Sequence, residues 1–183
     1  MSAKEKPMRK VLFLDRDGVI NVEVNYLYRI EDFKFVPGAP EALAAAVQAG
    51  YDLIVVTNQS GIARGYYTVA DMERLHSYIN EELTKVKAPI LNFYYCPHHT
   101  KGSVAAYTKD CDCRKPKPGM LLQAMKDFDI DKQNSLLVGD KPSDIEAAEA
   151  AGIQGYLFNG DNLADFLLPI LAAKQKGQTH EGV

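Results

Sequence analysis

Asp15 and Asp17 stand two residues apart, directly after the apolar run Val11-Leu12-Phe13-Leu14 and directly before Gly18. Carboxylates this close repel each other unless a cation or a shared proton lies between them. Three more polar clusters sit at the end of a strand candidate or just ahead of a helix. They are Thr57-Asn58-Gln59-Ser60-Gly61, Arg114-Lys115-Pro116-Lys117-Pro118 and Gly139-Asp140-Lys141-Pro142-Ser143-Asp144. Together they offer acids for a divalent cation, hydroxyl and amide donors for oxygens, and two cations for an anion. That set fits a phosphoryl group with Mg²⁺, which takes one or two carboxylates and completes its octahedron with water and phosphate oxygens. A carboxylate can then attack phosphorus to give an aspartyl-phosphate, while a second carboxylate moves the proton.

A second constellation involves sulfur. Cys96, Cys111 and Cys113 fall within eighteen residues, and His98 and His99 follow the first of them. The odd count, with no secretion signal, argues against a disulfide framework. A C-x-H and a C-x-C pair joined by a twelve-residue loop can close a tetrahedral Cys₃His zinc site over Cys96, His98, Cys111 and Cys113, with His99 as the alternative imidazole. Four protein ligands leave no open position, so such a zinc is structural. Arg114 and Lys115 follow the last ligand directly, and the metal would pin both.

Strands and helices alternate along the chain to position these groups. Strand candidates are Val11–Leu14, Leu53–Thr57, Leu91–Tyr95, Leu136–Val138 and Gly155–Phe158; helices are predicted over Pro40–Ala49, Val69–Val86, Pro118–Phe128 and Ser143–Ala151. Thr68 with Asp71, and Ser143 with Glu146, read as capping boxes, and a last helix after Asn162 is interrupted by Pro169. The alternation predicts an α/β fold with a mostly parallel sheet and helices on both faces. Such sheets bind ligands at the carboxyl ends of their strands. Asn21–Val24 and Phe33–Val36 are expected to pair as a small hairpin flap, and no stretch is long enough for a large cap domain.

The 183 residues are expected to form one domain with mobile ends at about 1–8 and 175–183. A formal charge of -3 gives no basic face for nucleic acid, and no apolar stretch approaches a membrane span. A cytoplasmic monomer acting on a small molecule is the resulting expectation. There is no P-loop to support an ATP-driven kinase.

The four polar clusters resemble, in order and spacing, the four motifs of the haloacid dehalogenase superfamily of phosphohydrolases. The resemblance implies a Rossmann-like fold with Asp15 as nucleophile and Asp17 as general acid/base. It also implies that Thr57 binds the phosphoryl oxygens and Lys115 stabilises charge. Mg²⁺ would be held by Asp15, Asp140 and the backbone carbonyl of Asp17. The runs Phe93–His99, Cys111–Pro116, Thr57–Gly65 and Pro118–Leu121 are further similar to the D-glycero-D-manno-heptose-1,7-bisphosphate 7-phosphatases, a likeness running from about Val11 to Gly160. It implies removal of the C7 phosphate to leave heptose 1-phosphate, in nucleotide-activated heptose synthesis for bacterial surface glycans such as lipopolysaccharide core or S-layer. Arg114 would then recognise the distal C1 phosphate. Glu23, Val24, Asn25 and Tyr26 would line the sugar from the flap, and Asn58, Gln59 and Ser60 from the second cluster, with Arg16 and Lys141 beside them. Histidinol-phosphate phosphatases share this core and a similar metal loop, and Glu23 could face the amine of their substrate. A non-catalytic zinc-stabilised binding module is the alternative from another class, but it has no need of Asp15, Asp17, Thr57, Lys115 and Asp140 together.

Overall fold

A computed structural model describes residues 8–180, with side chains as far as Gly177. Five strands, β1 (Val11–Leu14), β2 (Asp52–Asn58), β3 (Ile90–Cys96), β4 (Leu136–Gly139) and β5 (Gln154–Leu157), form one sheet in the order β3-β2-β1-β4-β5. Every pairing is parallel. β1 is buried along its whole length, which is why its residues are apolar without alternation. The alternation appears in what each face packs against. Leu12, Leu14, Val55 and Val138 meet α1 (Ala39–Gln48), α2 (Val69–Lys85) and α5 (Leu163–His180). Val11, Phe13, Ile54, Val56 and Leu137 meet α3 (Gly119–Asp127) and α4 (Pro142–Ala151).

From β1 the chain first builds outward through β2 and β3, then returns to place β4 on the other side of β1. The strand order reverses there, so loops leaving β1 and β4 diverge and leave a crevice between them. Asp15 follows β1 and Asp140 follows β4, and the Asp15 N–H donates to the Val138 carbonyl at 3.1 Å.

Local signals explain most boundaries. Thr68 caps α2: its hydroxyl accepts from the Asp71 N–H at 3.1 Å, and the Asp71 carboxylate accepts from the Thr68 N–H at 3.0 Å. α4 differs from its expected start. It begins at Pro142 after Lys141, and the carboxylate that returns to the chain is Asp144, not Glu146. Proline at the first helical position is favoured because its missing N–H has no partner to lose. The expected hairpin is also absent: Asn21 and Phe35 make a single antiparallel bridge, flanked by Val22 N–H to Lys34 carbonyl at 2.8 Å and Val36 N–H to Ile20 carbonyl at 2.9 Å. Between them the chain turns at Tyr26, held at φ +57°, and at a short 3₁₀ turn, Ile30–Asp32, so the flap is a loop. Pro169 does not interrupt the last helix, because Leu163, Leu167 and Leu171 bury one stripe of it against α1 and the sheet. That helix runs on through His180, past the point where a mobile tail was expected; residues 1–7 and 181–183 lie outside those described. No helix among the described residues is long and apolar enough to cross a membrane.

His76 is on the buried face of α2, 5% exposed. Burial, then the neighbouring Arg16 charge, pushes its imidazole down to about 3. In the unfolded chain the ring takes a proton near the ordinary value of about 6.5. Between those values the unfolded state binds more protons than the folded one, so stability falls as the pH is lowered from about 6.5 to about 3. In denaturant titrations across that window His76→Gln is expected to flatten the fall by an amount on the order of 5 kcal/mol. A variant profile parallel to the parent's would remove His76 from the acid response.

Candidate active site

Lys115 is held on three sides at the floor of the crevice. Its ammonium lies 3.0 Å from Asp15 Oδ1 and 2.6 Å from Asp144 Oδ1, and donates to the Val56 carbonyl at 2.9 Å. The residue is 5% exposed. Its backbone is bracketed by the Asn58 amide, which accepts from the Lys115 N–H at 3.0 Å and donates to its carbonyl at 3.3 Å. Burial alone would lower the Lys115 pKa, but the Asp15 and Asp144 carboxylates outweigh it and hold the ammonium above its ordinary range.

Asp144 was not among the residues singled out as functional. Its Oδ2 accepts the N–H groups of Asp140 and Lys141, both at 3.1 Å, while Oδ1 pairs with Lys115. One side chain therefore shapes the β4–α4 loop and holds the lysine. The available signal was its spacing, three residues after a residue that ends a loop and opens a helix.

Positive charge is short at this point. Burial raises the Asp15 pKa to about 8, with the Asp144 and Asp17 carboxylates adding to it against Lys115. Oxygens of Asp15, Asp140 and Asp144 lie within 4.8 Å of one another. Asp140 Oδ1 is buried with no hydrogen-bond partner. Gly18, at φ +85°, has no room for a Cβ, which would collide with the Asp140 carboxylate leaning over it. An unpartnered buried carboxylate oxygen beside a second acid is what a divalent cation satisfies. The donor set fits Mg²⁺ through Asp15 and Asp140, since both Asp144 oxygens are engaged elsewhere. The Asp17 side chain lies outside this group, leaving its backbone carbonyl as the part expected to ligate.

The Asp17 carboxylate is held by protein donors on both oxygens. Oδ1 accepts from Arg16 NH2 at 3.0 Å, Arg16 Nε at 3.3 Å and Asn21 Nδ2 at 3.0 Å; among the described residues Oδ2 accepts only from Gln59 Nε2, at 3.2 Å. Gln59 Nε2 also donates to the Thr57 hydroxyl at 2.8 Å, and Gln59 Oε1 accepts from the Tyr67 phenol. Burial lifts the Tyr67 pKa above its usual range, keeping the phenol a donor. These contacts modify two expectations. Arg16, named as a substrate contact, is 1% exposed with its guanidinium bound to protein groups, so it borders the cleft without offering it a free charge. Thr57, named as a phosphoryl ligand, is fully buried beneath the cleft with its hydroxyl taken by Gln59.

Above this floor is a cleft of about 500 Å³. Glu23, Val24, Asn25 and Tyr26 line one wall, Asn58, Gln59 and Ser60 another, and Arg114 and Lys141 the rim. Leu27, Tyr67 and Ser143 join them without having been anticipated. Lys141 reaches across to Glu23 at 3.7 Å, with both side chains about half exposed. Arg114 NH1 is buried without a partner. A buried guanidinium nitrogen without a partner is costly, and Arg114 itself is one of the residues lining the cleft.

Beside Arg114, the Cys96, His98, Cys111 and Cys113 ligand atoms also lie within 4.8 Å of one another. Cys96 Sγ to Cys111 Sγ is 3.5 Å, Cys111 to Cys113 is 3.5 Å, and His98 Nδ1 is 3.4 Å from Cys113 Sγ and 3.7 Å from Cys96 Sγ. Cys96 and Cys113 are closer, at 2.8 Å. Bonds of about 2.3 Å in a tetrahedron space sulfur ligands by about 3.7 Å, so the cluster suits a metal of that geometry. His99 is excluded as the imidazole: its Nδ1 accepts from the Lys101 N–H at 2.9 Å and its Nε2 faces Arg64 at 3.5 Å.

Known proteins are similar to this chain over most of its length. A protein of Photorhabdus laumondii named D-glycero-alpha-D-manno-heptose-1,7-bisphosphate 7-phosphatase is 50% identical over 144 residues, covering 79% of each chain. A Pasteurella multocida protein named for the beta anomer is 47% identical over 147 residues, covering 80% of this chain and 79% of its own. The crystal structure of D,D-heptose 1,7-bisphosphate phosphatase from B. bronchiseptica, complexed with magnesium and phosphate, superposes with a TM-score of 0.74 at 28% identity, covering 94% of this chain and 99% of that one. The family model for haloacid dehalogenase-like hydrolases matches residues 4–152, a span that contains all four polar clusters and the metal loop. With the five-stranded parallel sheet and two acids at its switch point, that match makes this chain a member of the haloacid dehalogenase-like hydrolases.

Proposed function

We propose that this chain is a Mg²⁺-dependent phosphatase that removes the C7 phosphate of D-glycero-D-manno-heptose 1,7-bisphosphate and leaves heptose 1-phosphate. The observation that carries the reading is a buried Lys115–Asp15 pair at the floor of a cleft whose wall holds an unpartnered Arg114 nitrogen. The floor suits the phosphoryl group under attack, and Arg114 suits a second phosphate at the far end of the sugar. Relatives at 47–50% identity are named for this substrate, which supports the same choice. In a histidinol-phosphate reading Glu23 would face an amine, but Glu23 already faces Lys141.

Asp15 attacks phosphorus, and the bond from phosphorus to the C7 oxygen breaks in line with it. Lys115 and the backbone N–H groups around the cluster hold charge on the equatorial oxygens. Asp15, Asp140 and the Asp17 carbonyl would hold Mg²⁺, which would supply the positive charge that this centre lacks. Asp17 gives a proton to the leaving sugar oxygen. It exchanges that proton through Oδ2, because Oδ1 already accepts three N–H donors. It then takes a proton from the water that hydrolyses the aspartyl-phosphate and releases phosphate. For Thr57 to bind a phosphoryl oxygen, its hydroxyl must rotate its own O–H toward the cleft while Gln59 continues to donate to it. The enzyme is proposed to act as a monomer in the cytoplasm, where a reducing environment keeps thiols available for the metal loop.

We assign zinc to Cys96, His98, Cys111 and Cys113, where it would fix the loop that delivers Arg114 and Lys115. Its role would be positional, because the four ligands fill its coordination sphere.

Four outcomes test these assignments. Asp15→Asn is expected to lower turnover by roughly 10³-fold or more while the fold persists, as measured by phosphate release and circular dichroism. Arg114→Ala should raise KM for the bisphosphate roughly tenfold or more, the loss expected of one charged hydrogen-bond pair, and leave KM for heptose 7-phosphate unchanged. The same assay run on both bisphosphate anomers and on histidinol phosphate identifies the preferred substrate; preference for histidinol phosphate would overturn the sugar assignment. Metal analysis should find one zinc per chain, and its removal should expose the loop between Cys96 and Cys113 to protease and slow turnover. A fully active enzyme purified without zinc would contradict the metal assignment.

A further inference from the structure

His76 is a buried ionisable group beside the site that the mechanism above does not use. Its ring lies flat on Phe93 of β3, with centroids 4.4 Å apart and planes at 13°. Its Nε2 is 3.2 Å from Arg16 NH1. The rest of that guanidinium is committed as well: NH2 donates to the Leu27 carbonyl and to Asp17 Oδ1, each at 3.0 Å, and Nε to the same Asp17 oxygen at 3.3 Å. The charged and titratable groups facing the imidazole are Arg16 and, behind it, Asp17.

We propose that His76 is a positioning residue for the proton-transferring carboxylate: as a hydrogen-bond acceptor it sets the rotation of the Arg16 guanidinium, which clamps Oδ1 of Asp17 and leaves Oδ2 to meet the leaving oxygen. The inference rests on the reading of Asp17 as the general acid and base. It explains why the position holds a neutral acceptor. An aliphatic side chain would leave NH1 unpaired in the core, which costs about 1–3 kcal/mol. A carboxylate would compete with Asp17 for the only charge available to it. A protonated imidazole would repel Arg16, and burial keeps the ring neutral. With Nε2 accepting, the ring proton is assigned to Nδ1. Because His76 is on a helix and packed on a strand, it holds the guanidinium from the rigid core, whereas Leu27 is part of the flap loop.

The test compares leaving groups. A sugar alkoxide needs a proton to depart and 4-nitrophenolate does not, so misplacing the acid slows formation of the aspartyl-phosphate from the first alone. His76→Leu is expected to lower kcat on the sugar bisphosphate roughly tenfold or more with KM unchanged, part of the range that general acid catalysis contributes. The pre-steady-state burst of 4-nitrophenol from 4-nitrophenyl phosphate should stay within about threefold of the parent's, because that step lacks the proton transfer. His76→Gln, which keeps an acceptor, should restore kcat on the sugar. If His76→Leu does not fold, His76→Asn, polar but too short to reach Arg16, is expected to show the same selective loss. Equal loss on both substrates, no loss on the sugar, or failure of His76→Gln to restore it would overturn the proposal. Asp17→Asn is run beside them: undiminished turnover of the sugar by that variant would instead refute the reading of Asp17 on which the proposal rests.

Discussion

The ammonium of Lys115, buried between Asp15 and Asp144, is the interaction on which the rest of the site depends. It joins the end of β1, the start of α4 and a loop that otherwise belongs to the metal cluster. Breaking a buried ion pair on one side costs about 3–5 kcal/mol, because the remaining charge is left without compensation. Here two acids would be stranded. The lysine also sets the charge balance: one ammonium shared by two carboxylates leaves Asp15 and Asp140 short of a positive partner, and a divalent cation supplies it. The structural need and the chemical need are the same shortage.

The polar residues around this centre form two tiers. Asp15 and Lys115 line the floor of the cleft, with the Asp140 carboxylate beside Asp15. Beneath and beside them Asn58, Gln59, Asn21, Arg16, Tyr67 and Asp144 satisfy hydrogen bonds that would otherwise be lost on burial. Asn58 holds a backbone and Asp144 holds both a loop and a side chain, so several residues that border the cleft have their primary contacts with protein. A site packed this way keeps its donors in place before any ligand arrives, which is the condition for electrostatic stabilisation without reorganisation. The upper part of the cleft is less constrained. The flap is a loop with one bridge, and Glu23 and Lys141 meet across the mouth while half exposed. Selectivity among phosphorylated small molecules would reside there and in Arg114.

The legible parts of this protein were those set by short-range pattern. Val11–Leu14 reads as a strand because a strand covered on both faces must be apolar throughout, and the Cys96-x-His98 and Cys111-x-Cys113 pairs read as a cluster because ligand spacing is local. Asp144 escaped notice, since its functional contact is with Lys115, and Ser143 beside it offered a more familiar cap. His76 was not singled out, and nothing in the spacing of α2 predicts an arginine sixty residues earlier as its partner. The expected hairpin failed because alternating residues at 21–24 and 33–36 permit strands, but a strand needs a partner along its length, and Tyr26 and the 3₁₀ turn carry the chain away.

By itself the sequence determined the alternation of strands and helices, the buried character of β1, the four polar clusters and the cysteine–histidine spacing. These follow from periodicity, caps and ligand chemistry, all written within a few neighbouring residues. Only the tertiary structure decided which strand ends lie side by side, that His98 and not His99 joins the thiols, and which oxygen of Asp17 carries the fewer donors. It also decided that Arg16 and Thr57 are held beneath the cleft by protein partners. The reason is physical. A residue's type states which bonds it can make, but burial makes those bonds obligatory, and the groups available to make them come from elements far apart in the chain.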